Sequence, residues 1–319
     1  MSFFRQTSRK LLKMVWNDCS QCHRMCTLSE AAQSIKIRNI HEGESGILAN
    51  SLVLEGCRAK TTDLKMFHKL DPSGYYMSLT DSGEVIGTIG GIRYSDSFGY
   101  IGFRHVDEEK KEQGYEQGLL NVALKHLKDR WLGIEVKSDE VETFQKLGFI
   151  TAWHNGCFKT EKTPFFPELG QNPSIHSIPE GPLGRVVEYD TEIFGVDRRR
   201  FIMSWTKTEK KGTSLLVTEN DKIMGYGVVR PLQETKCHRI GPLYALNTAV
   251  AQVLILALIS VIPDEALYIT APLTNPSFIR LLTNDLRLKQ INETVRMYTK
   301  KDHEIPTHKM FAIVDTNVG

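Results

Sequence analysis

The sequence predicts an α/β fold of the α+β type, made as two tandem domains, each a mixed, mostly antiparallel sheet flanked by helices. Three observations carry this reading. Residues 75–106 form three short apolar runs divided by turn residues, the pattern of an antiparallel meander. An amphipathic helix and then a strand–helix–strand unit follow it. Beyond a stretch rich in Pro, Gly, Asn and Ser, the same order of elements is met a second time.

In the first half, IKIRNI (35–40) alternates as a strand does, and TTDLKMFHKL (61–70) is a short helix opened by Thr or Asp. After the turn DPSG, the strands YYMSLT (75–80), EVIGTIGGIRY (84–94) and FGYIGFRHV (98–106) are separated by DSG and SDS, which suit hairpins. YEQGLLNVALKHLKDR (115–130) places Leu119, Leu120, Ala123, Leu124 and Leu127 on one helical face. LGIEV (132–136) reads as a strand and DEVETFQKL (139–147) as a helix stopped by Gly148. FITAWHNGCFKT (149–160) returns as a strand.

The stretch from Pro164 to Pro182 reads as the interdomain linker. In the second half, VVEYD (186–190) reads as a strand and TEIFGVDRRRFIMSW (191–205) as a helical region broken near Gly195. A second meander spans 213–219, 222–231 and 238–245. The helix NTAVAQVLILALISVI (247–262) is capped by Asn247 or Thr248. ALYITA (266–271), NPSFIRLLTN (275–284) and ETVRMYTK (293–300) read as strand, helix, strand, and KMFAIVD (309–315) as a last strand. The expected organisation is an N-terminal segment 1–33, a domain 34–162, a linker 163–183 and a domain 184–319.

A chain of 319 residues is comfortable for two cores. Its 40 basic and 38 acidic residues leave a formal charge of +2, too balanced to argue for a nucleic-acid or membrane partner. The longest apolar run, 249–263, ends at Pro263 after about four turns and is too short to span a bilayer. The first 17 residues lack the apolar core of a signal peptide. They carry Arg5, Arg9, Lys10 and Lys13 and no acid. A cytoplasmic location is expected, with a mitochondrial one as the alternative. Cys19, Cys22, His23 and Cys26 crowd one segment, yet no second ligand pair follows them, so no metal site is expected. On a helix these four would share one face, which also fits a small apolar stripe.

Several strings carry a resemblance. SFGYIGFRHVDEEKKEQGYEQGLLNVALKHL resembles motif A of the GNAT (Gcn5-related N-acetyltransferase) superfamily, and GIEV…VETFQKLGFITAW resembles the motif that follows it. IFGVDRRRF, RIGPLYALNTAVAQVLILAL, RMYTK and FAIVD resemble the C-terminal half of a tandem, two-domain acetyltransferase family. The first resemblance covers about residues 35–160 and the second about 184–318.

The resemblance implies acyl-CoA, acetyl-CoA or another, as co-substrate, lying between the fourth and fifth strands. Backbone N–H groups near Arg104, His105 and Val106 would hold the thioester carbonyl. The diphosphate would rest on the turn Lys111, Gln113, Gly114, Tyr115, Glu116, at a helix N-terminus. The acceptor would be a small-molecule amine. As the catalytic pair, His105 has an imidazole suited to act as base, and Glu135 ends the fifth strand where an amine would arrive.

The turn departs from the family pattern R/Q-x-x-G-x-G/A. Gly114 keeps the middle glycine, Lys111 replaces the leading Arg or Gln, and Glu116 replaces the last glycine. Asp107, Glu108, Glu109, Glu112 and Glu116 outweigh Lys110 and Lys111. Phe144 stands where many relatives place a thiolate-protonating Tyr. In the second half no such turn precedes the central helix, and Asp197 with Arg198–Arg200 reads as a cleft edge or as salt bridges. The expectation is an acyl-CoA-dependent N-acyltransferase. The alternative is a catalytically weakened relative that serves as a binding or regulatory protein.

Overall fold

The computed structural model describes residues 35–52, 60–164, 174–178, 182–208, 212–232, 237–300 and 305–319. The Cys19–Cys26 cluster and the basic N-terminus lie outside the described residues. The meander is β1 (Lys36–Asn39), β2 (Tyr75–Leu79), β3 (Val85–Arg93) and β4 (Phe98–Val106), antiparallel throughout. Helix α1 (Thr61–Leu70) joins β1 to β2 and buries Leu64 and Phe67. Helix α2 (Tyr115–His126) covers the sheet with Leu119, Leu120 and Ala123, so β5 (Trp131–Val136) returns parallel to β4. Helix α3 (Val141–Lys146) then leads into β6 (Ile150–Thr160).

The second half opens with β7 (Ile175–Ser177), which pairs with β8 and lies within the stretch expected as linker. Helices α4 (Leu183–Phe194) and α5 (Arg199–Trp205) follow, parted at Gly195, whose φ of 83° ends α4. The strand expected at VVEYD is corrected here, because these residues lie in α4. Val186, Val187, Asp190, Ile193 and Phe194 are its buried residues, which is a helical spacing. The β-branched pair at 186–187 imitates a strand only while the window stops at Asp190. The meander β8 (Thr213–Glu219), β9 (Lys222–Pro231) and β10 (Cys237–Ala245) follows, then α6 (Thr248–Ser260) and β11 (Ala266–Pro272). Helix α7 (Pro276–Arg280), a π turn (Leu281–Asp285), β12 (Lys289–Tyr298) and β13 (Met310–Ala312) complete the chain.

Among the described residues the thirteen strands form one sheet, ordered β1-β2-β3-β4-β5-β12-β6-β11-β10-β9-β8-β7, with β13 beside β10. The order reads the same from either edge. β5 of the first half is completed by β12 of the second, and β11 of the second by β6 of the first. The halves have thus exchanged a strand each. The exchange is fixed by side chains: Arg296 on β12 lies directly opposite Glu135 on β5, and both are buried. The largest core cluster includes Phe67, Phe103, Phe201 and Trp205, drawn from both halves.

Candidate active site

β4 and β5 pair only from Phe98↔Trp131 to Ile101↔Ile134, and then part. The cause lies in β4. Between Gly102 and His105 it sets Phe103 and Arg104 against the single residue Ile89 of β3, a β-bulge. Phe103 has a φ of 52°, a left-handed conformation rare for a bulky residue. Side chains replace its ladder partners: its N–H donates to Asn317 Oδ1 (2.7 Å), and its carbonyl accepts from Thr88 Oγ1 (2.9 Å). Its ring is anchored against Phe67 and Tyr75. Past this bulge a cleft of about 330 Å³ opens between the strands.

At the outer mouth, a 3-10 turn (Glu108–Gln113) reaches Gly114, whose φ of 81° turns the chain into α2. The first turn of α2 points unpaired N–H groups and a positive dipole end outward. Lys111 lies beside Glu108 (2.5 Å), which holds the Glu108 carboxyl below its ordinary value and raises the lysine. Tyr115 is buried among core residues beneath the turn, and Gln113 is exposed. Arg104, His105, Val106, Lys111, Glu116 and Glu135 line the cleft. Gln113, Gly114 and Tyr115 shape the turn without lining it.

Glu116 faces the cleft mouth. Its carboxylate accepts from Arg104 Nη2 at 3.0 Å, and the same guanidinium nitrogen contacts Glu140 from the segment after β5. Burial would raise the Glu140 carboxyl, but Arg104 outweighs it and holds the group low. The guanidinium carbon sits 4.7 Å from the centre of the Phe144 ring. The acid that replaces a glycine is therefore charge-matched, and the residue that replaces a tyrosine is a platform for the matching cation.

The inner end is polar. Glu135 Oε1 accepts from Asn155 Nδ2 (2.6 Å) and from Thr294 Oγ1, and Oε2 accepts from Arg296 Nε (2.6 Å). Both carboxylate oxygens are thus engaged. His105 Nε2 lies 3.3 Å from Asp107 Oδ1, and its side chain is 32% exposed.

The second half has the matching bulge: Gly241 and Pro242 of β10 oppose Val228 alone. Its β10 and β11 likewise pair in parallel only through Ile240↔Ile269. There the wedge is filled by β13, which pairs with Leu243 and Tyr244 of β10 while Ile313 N–H donates to Thr270 of β11 (2.9 Å). Of the Asp197–Arg200 group, Arg199 pairs with Asp197 at the surface, and Arg200 reaches the Lys69 carbonyl (3.3 Å) across the halves. Arg198 is buried in a two-pronged pair with Asp190 (2.8 Å each).

Thr88, Glu140, Thr316 and Asn317 also line the cleft, and sequence reasoning did not find them. Glu140 stands close to recognised motif residues. Asn317 is more than 200 residues from the strand it binds, so no local pattern could announce it. Among the described residues no group of three or more His, Cys, Asp or Glu is placed to hold a metal ion. No helix among them is long and apolar enough to cross a membrane.

Two family models match the chain. Residues 48–149 match the acetyltransferase (GNAT) family and residues 186–312 an acetyltransferase (GNAT) domain, together well over half of the sequence. A curated relative, holothin acyltransferase of Pseudoalteromonas sp. (strain SANK 73390), is 24% identical over 258 residues, 81% of this chain and 85% of that protein. Among solved structures, an acetyltransferase from Pyrococcus horikoshii aligns with a TM-score of 0.72 at 18% identity, covering 90% of this chain and 96% of that one. A tandem GNAT protein from the clavulanic acid biosynthesis pathway aligns at 0.54 and 12%, covering 85% and 100%. Saccharomyces cerevisiae N-myristoyltransferase with bound myristoyl-CoA aligns at 0.58 and 11%, covering 88% and 89%. With a GNAT motif in each half, a mirrored sheet and a parted strand pair in the first, the chain belongs to the GNAT superfamily as a tandem, two-domain acyltransferase.

Proposed function

We propose that the chain is an acyl-CoA-dependent N-acyltransferase that moves an acetyl or other acyl group to a small amine, with the acyl-CoA held by the first half. One observation carries this reading. The first half keeps its wedge open behind a left-handed glycine and a helix N-terminus, whereas the second fills the equivalent wedge with β13. In this reading the diphosphate lies on the turn, held by the free N–H groups of α2, by Lys111, and by Arg104 once its guanidinium leaves Glu116. Backbone N–H groups of β4 beyond the bulge hold the thioester carbonyl and the oxyanion formed when the amine attacks. A C–N bond forms, the C–S bond breaks, and the amine proton passes to a base.

His105, with Asp107 beside it, suits that base better than Glu135, whose oxygens already accept from three donors. Glu135 is suited to hold and orient a cationic or hydroxyl-bearing acceptor. Phe144 supplies no proton, so the thiolate leaves as such or takes one from water. A thiol pKa of about 8.5 makes this tolerable. The name of the Pseudoalteromonas relative supports acyl transfer as the chemistry. We divide the chain into domains 34–162 and 184–319 on either side of 163–183.

Calorimetry with acetyl-CoA at modest salt is expected to show at least micromolar affinity. Release of free thiol with a panel of small primary amines should report turnover. His105→Ala is expected to lower kcat at least tenfold while acetyl-CoA affinity stays within about threefold. No heat with any acyl-CoA would overturn the reading. Tight binding without turnover on any amine would favour the alternative of a binding or regulatory protein, to which Phe144 and the Arg104–Glu116 pair already lend weight.

A further inference from the structure

The inner end of the cleft is closed by a segment that family motifs do not include. Beyond β13 the chain leaves the wedge of the second half and runs back to the first. Two contacts bring it backbone to backbone with β4: a Cβ at Gly102 would collide with the Asn317 carbonyl, and Phe103 N–H donates to Asn317 Oδ1. The segment is tied down along its length. Tyr100 Oη donates to the Thr316 carbonyl (2.9 Å) and Tyr94 Oη to the Val318 carbonyl (2.8 Å). Asn317 N–H donates to Asp315 Oδ1 (2.8 Å), and Asp315 is ion-paired with Arg239 of β10. The wall is therefore a fixed part of the fold.

We propose that Thr316 and Asn317, supplied by the C-terminal segment, set the acyl-chain length of the first half's site and confine it to short acyl groups. The inference rests on the acyl-CoA reading above and deepens it. With the diphosphate at the turn, the thioester lies at the bulge and the acyl chain points to the inner end. The walls on the way are apolar, formed by Val106, Leu119, Leu120 and Val136. The end is formed by Thr88, Thr294, Glu135, Thr316 and Asn317. A methyl or ethyl group stops short of these groups. A longer chain would press methylenes against a carboxylate, an amide and hydroxyls that cannot leave their partners, and it would gain no apolar burial there.

The test is calorimetric, on the full chain, with free CoA, acetyl-CoA, butanoyl-CoA and octanoyl-CoA. The wild type is expected to bind octanoyl-CoA at least tenfold more weakly than acetyl-CoA. Thr316→Ala and Asn317→Gly each remove part of the wall and should bring that ratio within about threefold. Thr316→Ala keeps the backbone carbonyl that Tyr100 holds, so it guards against a folding failure of the Asn317 variant. Equal binding of acetyl- and octanoyl-CoA by the wild type would overturn the proposal, as would a ratio unmoved in both variants. Failure of free CoA itself to bind would remove the cofactor reading first and this one with it.

Discussion

At the scale of single residues, Glu116 decides how anions are received. An unmatched carboxylate some 6 Å from a phosphate charge costs about 3 kcal/mol at an effective dielectric near 20, and salt reduces this. Here the carboxylate is half-exposed and spends its charge on Arg104, which shares it with Glu140. The arrangement stores a guanidinium at the cleft mouth in its discharged form. Glu116→Gln removes one competitor and one negative charge, so acetyl-CoA affinity measured by calorimetry should rise about fivefold, most clearly at low salt. An unchanged affinity would show that the phosphates bind away from Arg104. The position of Glu116 was legible in the sequence as a departure from a motif. Its partner was not, because Arg104 and Glu140 come from different elements and meet only where β4 and β5 part.

At the scale of elements, periodicity and caps located most of the fold. Asn247 was readable as the cap of α6, and its side chain accepts from Val250 N–H at 3.0 Å. Asn247→Ala should cost about 1 kcal/mol, read as a lower midpoint in urea unfolding with an unchanged slope. Elements were misread where a short window permits two periods. VVEYD reads as a strand over five residues, and only the burial of Ile193 and Phe194 a turn later shows one helical stripe. β7 went unseen because three residues among turn formers give no pattern, and it exists by pairing with β8. The bulge of β4 was hidden for a third reason. Phe103 has no intrinsic leaning toward a positive φ, and is held there by Thr88, by Asn317 and by an aromatic cluster.

At the scale of the whole molecule, the sequence shows two domains, but the sheet shows that neither is complete alone. A chain ending at residue 164 would lack β12 and leave β5 and β6 with open edges where the full protein has ladders. It would also bury Glu135 without Arg296. Such a chain should aggregate or fail to give a cooperative melt, and co-expression with residues 165–319 should restore solubility. A monomeric, cooperatively folded fragment would show that the exchanged strands are dispensable. The strand exchange also sets an order of events during synthesis. β5 emerges from the ribosome more than 150 residues before β12, and the wall of the acyl cleft emerges among the last residues of the chain. While translation proceeds, the first half therefore waits as an unfinished sheet, and its binding cleft is built only as the closing segment is released.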